Sequence, residues 1–484
     1  MAAPEIHSLT DESRSPEQRP SLAQALVVVL GVVVFLAVGS GVLGLAPHGP
    51  LLWSIVLTGL VGRYWMELSW EDLYGGVEKG LVMGLQAILI LFVIYALIAT
   101  WVSAGTIPGM MYYGLSILTP TIFLPATALL STVVAIAIGS SWTTAGTLGV
   151  AFIGIGAGLG IPAPMTAGAV LTGAYAGDKQ SPLSDTTNLA AGVTDTDLYD
   201  HIRAMRLGTL LALGISVVLF AVLGLQTTGA IPAGQINEIR SALAGTYAIS
   251  PLVFVPLLVT FGLALYGYPA LSSLLAGVFA GVGATIALQG ASFTAAWEVF
   301  LNGTAPKTGV ETVNSLLASG GLSGSAWTIG VVVAALSLGG LLETLGILAV
   351  LARALEKTIH GVSSLVAATG LSAIVVNLFS AQQYMSIAIP GLSLRSLYEE
   401  YDLDSSTLSQ AVEAAGTPTG ALIPWHAGGI YMASVLGVAT LQYAPYYFFG
   451  YLSPLILFAM AATGRGLETV DTDEPIDSAA TADD

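Results

Sequence analysis

Long apolar stretches alternate with short polar ones along almost the whole chain. Runs of roughly 20 apolar residues, the length that crosses a bilayer as a helix, recur from Leu22 to Ala462. The pattern predicts an all-α polytopic membrane protein of about 11–14 transmembrane segments, the shortest being broken or re-entrant helices. The candidate spans lie at about residues 22–45, 49–65, 80–101, 107–118, 122–138, 143–160, 162–177, 205–225, 251–266, 268–288, 327–352, 363–379, 384–394, 420–438 and 443–462.

Four polar interruptions of the apolar sequence occur in two similar pairs. In the first half, GSSWTT (139–144) is followed about forty residues later by SPLSDTTN (181–188). In the second half, NLFSAQQ (377–383) is followed about forty residues later by GTPTG (416–420). Interrupted helices at corresponding positions of two halves are typical of transporter sites, so the pattern predicts an inverted repeat.

Composition narrows the class of protein further. Hydrophobic residues make up 55% of the 484 residues and charged residues only 9%, whereas soluble domains carry about 25% charged residues. The chain has no cysteine, which excludes disulfides and thiolate chemistry, and its five histidines show no metal-ligand spacing. It is not basic enough to bind nucleic acid, and no enzyme motif is present, so an enzyme is not expected.

The net charge of −17 is concentrated in the tails and loops. Residues 1–20 and the acidic residues 464–484 are predicted to be disordered cytoplasmic tails, which leaves residues 21–463 as one transmembrane transporter domain. An acidic surface with little lysine suggests a halophilic organism. No cleavable signal is predicted, because the apolar run 22–45 is too long for one.

The distribution of lysine and arginine predicts the orientation in the cell membrane. Both termini are expected in the cytoplasm, because the short loops on that side then hold most of the basic residues. The two longest loops, at about 226–250 and 289–326, would lie outside with only Arg240 and Lys307.

Two aspartates in the stretch 139–188 are the strongest candidates for chemistry. Asp178 and Asp185 lie in otherwise apolar sequence, and Pro182 between them is expected to break the helix. Their carboxylates, freed backbone carbonyls and the side chain of Asn188 would suit Na⁺, and a titrating carboxylate would exchange Na⁺ for H⁺. Two other interpretations stay open: a solvated loop pair of Asp178 and Lys179, and a helix cap at Asp185.

Further polar residues near these interruptions are candidates for binding an ion or substrate. Each type of candidate also has a structural interpretation. Hydroxyls in membrane helices more often bond their own helix. A buried glutamate can be a neutral, hydrogen-bonded residue, and a histidine beside Trp425 is more often an interfacial residue. His201, with the nearby Asp197 and Asp200, is interpreted as part of a cytoplasmic loop and helix start. The candidates are Ser181, Ser184, Thr186 and Thr187 beside Asp185, then Ser140, Ser141, Thr143 and Thr144, and in the second half Glu343, Asn377, Gln382, Glu413, Thr417 and His426.

The stretch from Gly139 to Arg203 closely resembles the signature region of the NhaC-type Na⁺/H⁺ antiporter family, and its GDKQSPLSDTTN element is the specific part. Weaker similarities are WVSAGTIPGMMYYGL, GGLLETLG, the stretch 377–384, LIPWHAGG and YAPYYFFGYLSP, so the resemblance covers about residues 80–454. It implies a secondary transporter that exchanges Na⁺ for H⁺, and some relatives exchange organic acids or amino acids. By its motif, the core site would comprise Asp178, Ser181, Ser184, Asp185, Thr186, Thr187 and Asn188.

The second half departs from the family pattern at three places. Gln382 stands where the family usually has an aspartate, Glu413 is followed by two alanines instead of Asp-Ser, and His426 replaces an asparagine. Two expected carboxylates are therefore missing, which would suit an organic anion better than a second cation.

The leading functional prediction is a Na⁺/H⁺ antiporter in which Asp178 and Asp185 bind Na⁺ or H⁺ alternately. The alternative is an organic acid or amino acid exchanger, of the malate/lactate or arginine/ornithine type, coupled to Na⁺ or H⁺. A channel would differ by passing uncoupled current. No cofactor is expected beyond Na⁺ and H⁺ as transported ions, and the expected partners are the lipid bilayer, a small organic substrate in the alternative case, and a second copy in a homodimer.

Overall fold

A computed structural model describes residues 20–226, 233–356 and 359–469. Most of the two predicted tails lies outside these ranges. The helices of the first half begin close to the predicted spans, and they are α1 (Leu22–Leu36), α2 (His48–Tyr64), α3 (Trp70–Ser103), α4 (Thr106–Ile117), α5 (Pro120–Ile138), α6 (Ser141–Thr144), α7 (Val150–Gly158), α8 (Ala163–Asp178), α9 (Asp185–Thr194) and α10 (Leu198–Gln226). Short π-helical turns follow α1 at Ala37–Val42 and α6 at Ala145–Gly149.

The rest of the described chain is also helical. The helices are α11 (Ala233–Thr246), α12 (Val255–Leu265), α13 (Ala270–Gln289), α14 (Phe293–Asn302), α15 (Glu311–Leu317), α16 (Gly321–Gly324), α17 (Ala326–Thr344), α18 (Ile347–Glu356), α19 (Val362–Ser380), α20 (Gln383–Ser393), α21 (Arg395–Glu400), α22 (Ser405–Thr419), α23 (Ala427–Leu436), α24 (Thr440–Tyr443) and α25 (Phe448–Thr463). Single 3₁₀ turns lie at Pro251–Phe254, Gly420–Leu422 and Ala444–Tyr446.

Among the described residues, seven helices are long and apolar enough to cross a membrane, or up to nine if each of two bent helix pairs is one span. The predicted all-α membrane class is confirmed. The predicted 11–14 crossings stay a prediction, because helices that end at an interruption, such as α8 and α22, are shorter than a full span.

Several predicted spans have different boundaries in the structure, and two of them show why. The predicted span 80–101 is part of α3, which begins at Trp70 because Ser69 and Asp72 cap each other's backbone amides. The predicted single span 327–352 is wrong. It is two helices, α17 and α18, because Gly346 adopts a left-handed φ of +75° that interrupts the helix.

All four predicted polar interruptions are breaks between helices. In the first half, Gly139 and Ser140 separate α5 from α6, and residues 179–184 separate α8 from α9. In the second half, Ala381 and Gln382 separate α19 from α20, and residues 420–426 separate α22 from α23. In each half the long helices before the two breaks pack together, α5 on α8 and α19 on α22. This correspondence supports the predicted repeat, and its inversion stays a prediction.

The two breaks of each half touch each other. Gly139 has a left-handed φ of +71°, and a Cβ there would lie 2.6 Å from the backbone of Leu183. Only glycine fits that approach. In the second half, the N–H of Ala427 donates to the carbonyl oxygen of Ala381 at 3.0 Å, although Ala381 itself holds a left-handed φ of +56°. A non-glycine residue in this conformation is strained, and such strain concentrates at functional sites.

Glycines allow the helices that support these breaks to approach closely. A Cβ at Gly173 of α8 would lie 2.0 Å from the carbonyl oxygen of Ala128 in α5. The crossing of α3 and α17 is equally tight, since a Cβ at Gly340 would lie 2.2 Å from the carbonyl oxygen of Gly76. Small residues at helix crossings are the usual means of association within membranes. These crossings hold the broken helices in a fixed position.

Candidate functional site

A cavity of about 270 Å³ lies where breaks of the two halves meet. Its walls come from α3, from both first-half breaks, from the turn between α12 and α13, and from the start of α20. The lining residues are Gln86, Ala87, Ile90, Ile138, Gly139, Ser140, Ser141, Trp142, Asp178, Leu183, Asp185, Thr186, Ala264, Gly267, Tyr268, Pro269, Ala270, Gln382, Gln383 and Tyr384. Among these lining residues the two aspartates are the only charged side chains.

Asp178 is the last residue of α8 and its side chain is buried. The Ser141 hydroxyl donates to Asp178 Oδ2 at 2.8 Å. The other carboxylate oxygen, Oδ1, has no hydrogen-bond partner within the described residues. A buried acceptor without a donor is costly unless a ligand supplies one. This oxygen is therefore available to a cation or an N–H group in the cavity.

Asp185 is the first residue of α9 and is exposed to the cavity. Its Oδ1 accepts a hydrogen bond from the Thr186 N–H at 3.0 Å, and its Oδ2 accepts one from the Tyr384 hydroxyl. Tyr384 belongs to α20, so this hydrogen bond joins the two halves across the cavity. The helix cap at this position is Ser184, not Asp185, because the Ser184 hydroxyl accepts from the N–H of Thr187 at 3.3 Å.

The second half contributes amides to the cavity where the first half contributes carboxylates. Gln382 and Gln383 both line it, at the start of α20. The Gln382 side-chain nitrogen is buried and has no acceptor among the described residues. The cavity thus holds an unpaired acceptor, Asp178 Oδ1, and an unpaired donor, Gln382 Nε2.

The hydroxyls that follow the first break mostly stabilise the local helix. Ser140 caps α6 by accepting from the N–H of Thr143 at 3.1 Å, and the Thr144 hydroxyl donates to the Ser140 carbonyl at 2.9 Å. Thr143 is buried, and its hydroxyl has no partner in the described part of the chain. Of the four predicted hydroxyls in this cluster, the structure brings Ser140 and Ser141 to the cavity.

Of the polar residues around Asp185, some line the cavity and others stabilise the helix break. Thr186 lines the cavity, whereas the Ser181 hydroxyl accepts from the N–H of Leu183 at 3.3 Å within the break. The Asn188 amide donates to the carbonyls of Pro182 and Ser184 at 2.9 and 2.7 Å. The amide of Asn188 therefore holds the break together and is not among the groups that line the cavity.

Asn377, Thr417 and His426 form a separate buried cluster behind the second-half breaks. His426 Nδ1 accepts from the N–H of Gly428 at 2.9 Å, so its Nε2 carries the hydrogen and donates to the Asn377 side-chain oxygen at 3.1 Å. His426 is thus a neutral cap of α23. The Asn377 amide donates to the carbonyl of Gly416 and to Thr419, and the Thr417 hydroxyl has no partner among the described residues. None of the three lines the cavity.

Glu343 and Glu413 also lie away from the cavity. Glu343 forms an ion pair of 2.9 Å with Lys79 at the crossing of α17 and α3. Glu413 is fully buried in α22 and contacts His201 of α10, whose Nε2 lies 2.5 Å from Glu413 Oε2. His201 lies at the predicted helix start, but its side chain is buried. It lies in the first turns of α10, on the face that also buries Met205 and Thr209.

Several lining residues were not among the sequence candidates. Tyr384 and Gln383 directly follow Gln382, and the QQY sequence after an apolar run is the signal that would have included them. Gln86 is the single amide in the apolar stretch 80–101, which again marks it. Trp142 and Tyr268 carry no such signal, because an aromatic residue in a membrane span is unremarkable in sequence.

Comparison with known proteins assigns the chain to a family. The sequence pattern of the Na⁺/H⁺ antiporter family matches residues 173–465, which include both first-half aspartates and the second-half breaks. The chain belongs to the Na⁺/H⁺ antiporter family. The resemblance seen in the sequence is thereby confirmed, and the antiporter is a multi-pass membrane transporter rather than an enzyme.

Three curated relatives of the antiporter carry different names. The arginine/ornithine antiporter ArcD of Halobacterium salinarum is 53% identical over 97% of this chain and 98% of its own length. The Na⁺/H⁺ antiporter NhaC of Alkalihalophilus pseudofirmus is 37% identical over 91% of this chain and 96% of its own. The malate-2H⁺/Na⁺-lactate antiporter of Bacillus subtilis is 35% identical over 91% of this chain and 94% of its own.

Proposed function

We propose that the antiporter exchanges cationic amino acids of the arginine and ornithine type across the cell membrane. The observation that carries this proposal is the charge of the cavity lining, which has two carboxylates and, among the described residues, no lysine or arginine. Such a lining favours a cation. A dicarboxylate such as malate would face Asp178 and Asp185 without a basic partner, so the organic anion favoured by the missing carboxylates is not supported. The relative with 53% identity carries the name of an arginine/ornithine antiporter.

The size and walls of the cavity favour an organic cation over a bare ion. A volume of about 270 Å³ is many times the roughly 10–15 Å³ that holds one water, so the cavity has far more room than a bare Na⁺ fills. Trp142 and Tyr268 lie in the wall, and aromatic faces stack well on a guanidinium group or an ammonium. Carboxylates such as Asp178 and Asp185 pair with the same groups by charge-assisted hydrogen bonds.

The second-half wall suits the other end of an amino acid. Gln382 Nε2 is a buried donor without an acceptor, and the 11-residue helix α20 begins beside it at Gln383. A helix N-terminus at a break favours a carboxylate, as in other transporters with interrupted helices. The α-carboxylate of the substrate would therefore bind at α20, with its cationic side chain at Asp178 and Asp185.

A single site that binds both substrates in turn accounts for exchange. Arginine and ornithine carry the same net charge at neutral pH, so one replaces the other without changing the charge in the cavity. The hydrogen bond from Tyr384 to Asp185 joins α20 to α9, and it would be remade each time the two halves move around the site.

Exchange of Na⁺ for H⁺ is the second candidate, and one observation favours it. Asp178 Oδ1 is an unpaired carboxylate oxygen beside a helix break, where freed carbonyls and the Ser141 hydroxyl offer further oxygen ligands. Na⁺ would bind at Asp178 and Asp185, and the NhaC relative has 37% identity. Asn188, the third Na⁺ ligand predicted from the sequence, donates its amide hydrogens to the carbonyls of Pro182 and Ser184 instead.

Purified protein in proteoliposomes distinguishes the two candidates. Vesicles loaded with labelled arginine are diluted into buffer with or without ornithine, and a parallel set carries an internal pH dye and receives NaCl. Efflux that depends on external ornithine, with no Na⁺-dependent pH change, supports amino acid exchange. A Na⁺-dependent pH change without ornithine-dependent efflux would replace it by Na⁺/H⁺ exchange.

A pair of variants tests whether the cavity carries the activity. Asp185→Asn is expected to abolish exchange, because it removes the accessible carboxylate. Asp200→Asn is the matched control, since Asp200 is exposed at the start of α10 and paired with Arg203 at 2.8 Å. Full exchange by the Asp185 variant would contradict the assignment of the site.

The orientation and assembly predicted from the sequence remain proposals of the same kind. Both termini are proposed to lie in the cytoplasm, and the antiporter is proposed to form a homodimer. Because the chain has no cysteine, single cysteines placed in either tail report their side by labelling with an impermeant maleimide. Labelling from outside the cell would reverse the orientation, and a monomeric mass in nanodiscs would exclude the dimer.

A further inference from the structure

A second polar cluster lies behind the break between α8 and α9, on residues that do not line the cavity. Its members are fully buried and come from the α8–α9 break, α9, α10 and α22. His201 Nε2 lies 2.5 Å from Glu413 Oε2, and the Lys179 ammonium donates to the Glu413 carbonyl oxygen at 2.8 Å. The Thr187 hydroxyl lies 3.3 Å from Glu413 Oε1 and 3.4 Å from the carbonyl oxygen of Asp178. The cluster thus reaches from α10 to the backbone of the transport site.

Hydrogen-bond directions fix the number of protons on the His201–Glu413 pair. The Ser409 hydroxyl donates its only hydrogen to the Ser406 carbonyl at 2.9 Å, so at 2.8 Å it can only accept from His201 Nδ1–H. A hydrogen must also lie between His201 Nε2 and Glu413 Oε2, because two acceptors would repel each other at 2.5 Å. Either His201 is the imidazolium and Glu413 the carboxylate, or both are neutral. In both cases the pair holds one shared proton and has no net charge.

We propose that the His201–Glu413 pair is a proton-binding site whose occupancy sets the affinity of the cavity for its cation. When the shared proton leaves to solvent, His201 keeps only its Nδ1–H, Glu413 is a carboxylate, and the pair carries one negative charge. That charge lies one hydroxyl group, that of Thr187, away from the Asp178 backbone. A cation in the cavity is then stabilised, so its affinity rises with pH as the proton is lost. By linkage, a bound cation equally favours loss of the proton.

The other charged groups around the pair are few. Lys179 faces it from the α8–α9 break, and Asp178 and Asp185 face it from the ends of α8 and α9. The neighbouring helices α19, α20 and α25 have no charged residue in their sequences. The nitrogen of Lys179 also lies 5.5 Å from the ring centroid of Phe449 and donates to Ser453 at 3.3 Å. Because Lys179 also titrates, only variants of the pair itself attribute a pH effect to His201 and Glu413.

Two variants of the pair are expected to act in opposite directions on affinity. Binding of labelled arginine to the full-length protein in nanodiscs is measured between about pH 5 and pH 8, the range in which histidine usually titrates. Wild-type affinity is expected to rise about tenfold across this range, a usual size for coupling between sites. Glu413→Gln fixes the pair without charge, so its affinity stays at the low value. His201→Gln removes the basic member of the pair and keeps the acidic one, so its affinity is expected to lie above that of Glu413→Gln at the same pH.

The control variant is His48→Gln, which removes a histidine bonded to the Trp327 carbonyl at 3.1 Å, far from α10 in the fold. It is expected to keep the wild-type dependence on pH. The proposal is overturned if both pair variants retain that dependence, because a merely structural pair would lower affinity equally at every pH. Thermal melting of each variant in nanodiscs separates misfolding from a change of affinity.

The inference rests on the proposed function for the identity of the cation, and a ligand-free measurement separates the two. Histidine-labelled protein is titrated by NMR without substrate, and the His201 signal is assigned with His201→Gln. A His201 signal that titrates in wild type and stays unchanged down to about pH 5 in Glu413→Gln supports the pair even if arginine does not bind. A wild-type His201 signal that stays unchanged over the whole range overturns the pair, whatever the substrate is.

Discussion

The two halves of the antiporter bring similar helix breaks to one cavity with different chemistry. The first half contributes the carboxylates of Asp178 and Asp185, and the second half contributes the amides of Gln382 and Gln383. Both halves use the same backbone device, since the two breaks within each half touch. The backbone therefore provides the site, and the side chains at the breaks decide what it binds.

Under the proposed function, this difference would set which substrate the cavity accepts. A carboxylate at each set of breaks would surround a small cation with charge. An amide in place of one carboxylate leaves a donor, Gln382 Nε2, that fits an acceptor on the substrate. A molecule with a cationic end and a carboxylate end then matches the two walls.

Removal of charge from the first half is expected to have the largest effect. Asp178→Asn should lower arginine exchange about 100-fold, because hydrogen bonds to a charged group contribute about 1.5–3 kcal/mol each and one oxygen of the buried carboxylate has no partner among the described residues. Labelled arginine exchange in proteoliposomes measures it. Gln180→Ala is the control, since its side chain bonds Thr209 and the Lys179 carbonyl outside the cavity. Exchange within a few-fold of wild type would place the cation elsewhere.

Removal of the contact between the halves should have an intermediate effect. Tyr384→Phe deletes the hydroxyl that donates to Asp185 and keeps the ring. The affinity for arginine is expected to fall about tenfold, since a hydrogen bond to a carboxylate is lost. Equilibrium binding and exchange rate are measured together, because loss of a contact that the halves remake in transport would slow exchange more than it weakens binding. Equal affinity in the variant and in wild type would make this contact irrelevant to the substrate.

The helix breaks could be predicted because polar and helix-breaking residues interrupt otherwise apolar sequence. Glycine, proline and hydroxyls inside apolar runs placed all four breaks, because irregular backbone at membrane depth needs such residues. Tertiary partners were not predictable in this way. Sequence alone does not show that Lys79 of another helix pairs with Glu343, or that Glu413 of α22 contacts His201 at the predicted helix start. Partners distant in sequence decide whether a buried polar group binds a substrate or a neighbour.

The second-half amide is expected to contribute less than either carboxylate. Gln382→Ala removes a neutral donor, so arginine affinity should fall about fivefold. Gln382→Asp separates Na⁺ binding from arginine binding, because the added carboxylate attracts Na⁺ but repels the α-carboxylate of arginine. Its arginine affinity should fall below that of the alanine variant while Na⁺ binding increases. If both substitutions left the affinity for arginine unchanged, the α-carboxylate would not bind at α20.

The smallest effect is expected at Glu343. From the sequence alone it is a candidate of the same kind as Asp178 and Asp185, because all three are carboxylates in apolar sequence. It already has a partner, since Lys79 lies 2.9 Å away and is itself one-third exposed. An ion pair with such access to solvent contributes about 0–1 kcal/mol to stability. Glu343→Gln should therefore change arginine exchange less than about twofold, with a slightly lower melting temperature in nanodiscs. A loss as large as that of Asp178→Asn would mean that the α3–α17 crossing carries part of the transported charge, and that the asymmetry between the halves does not set the substrate.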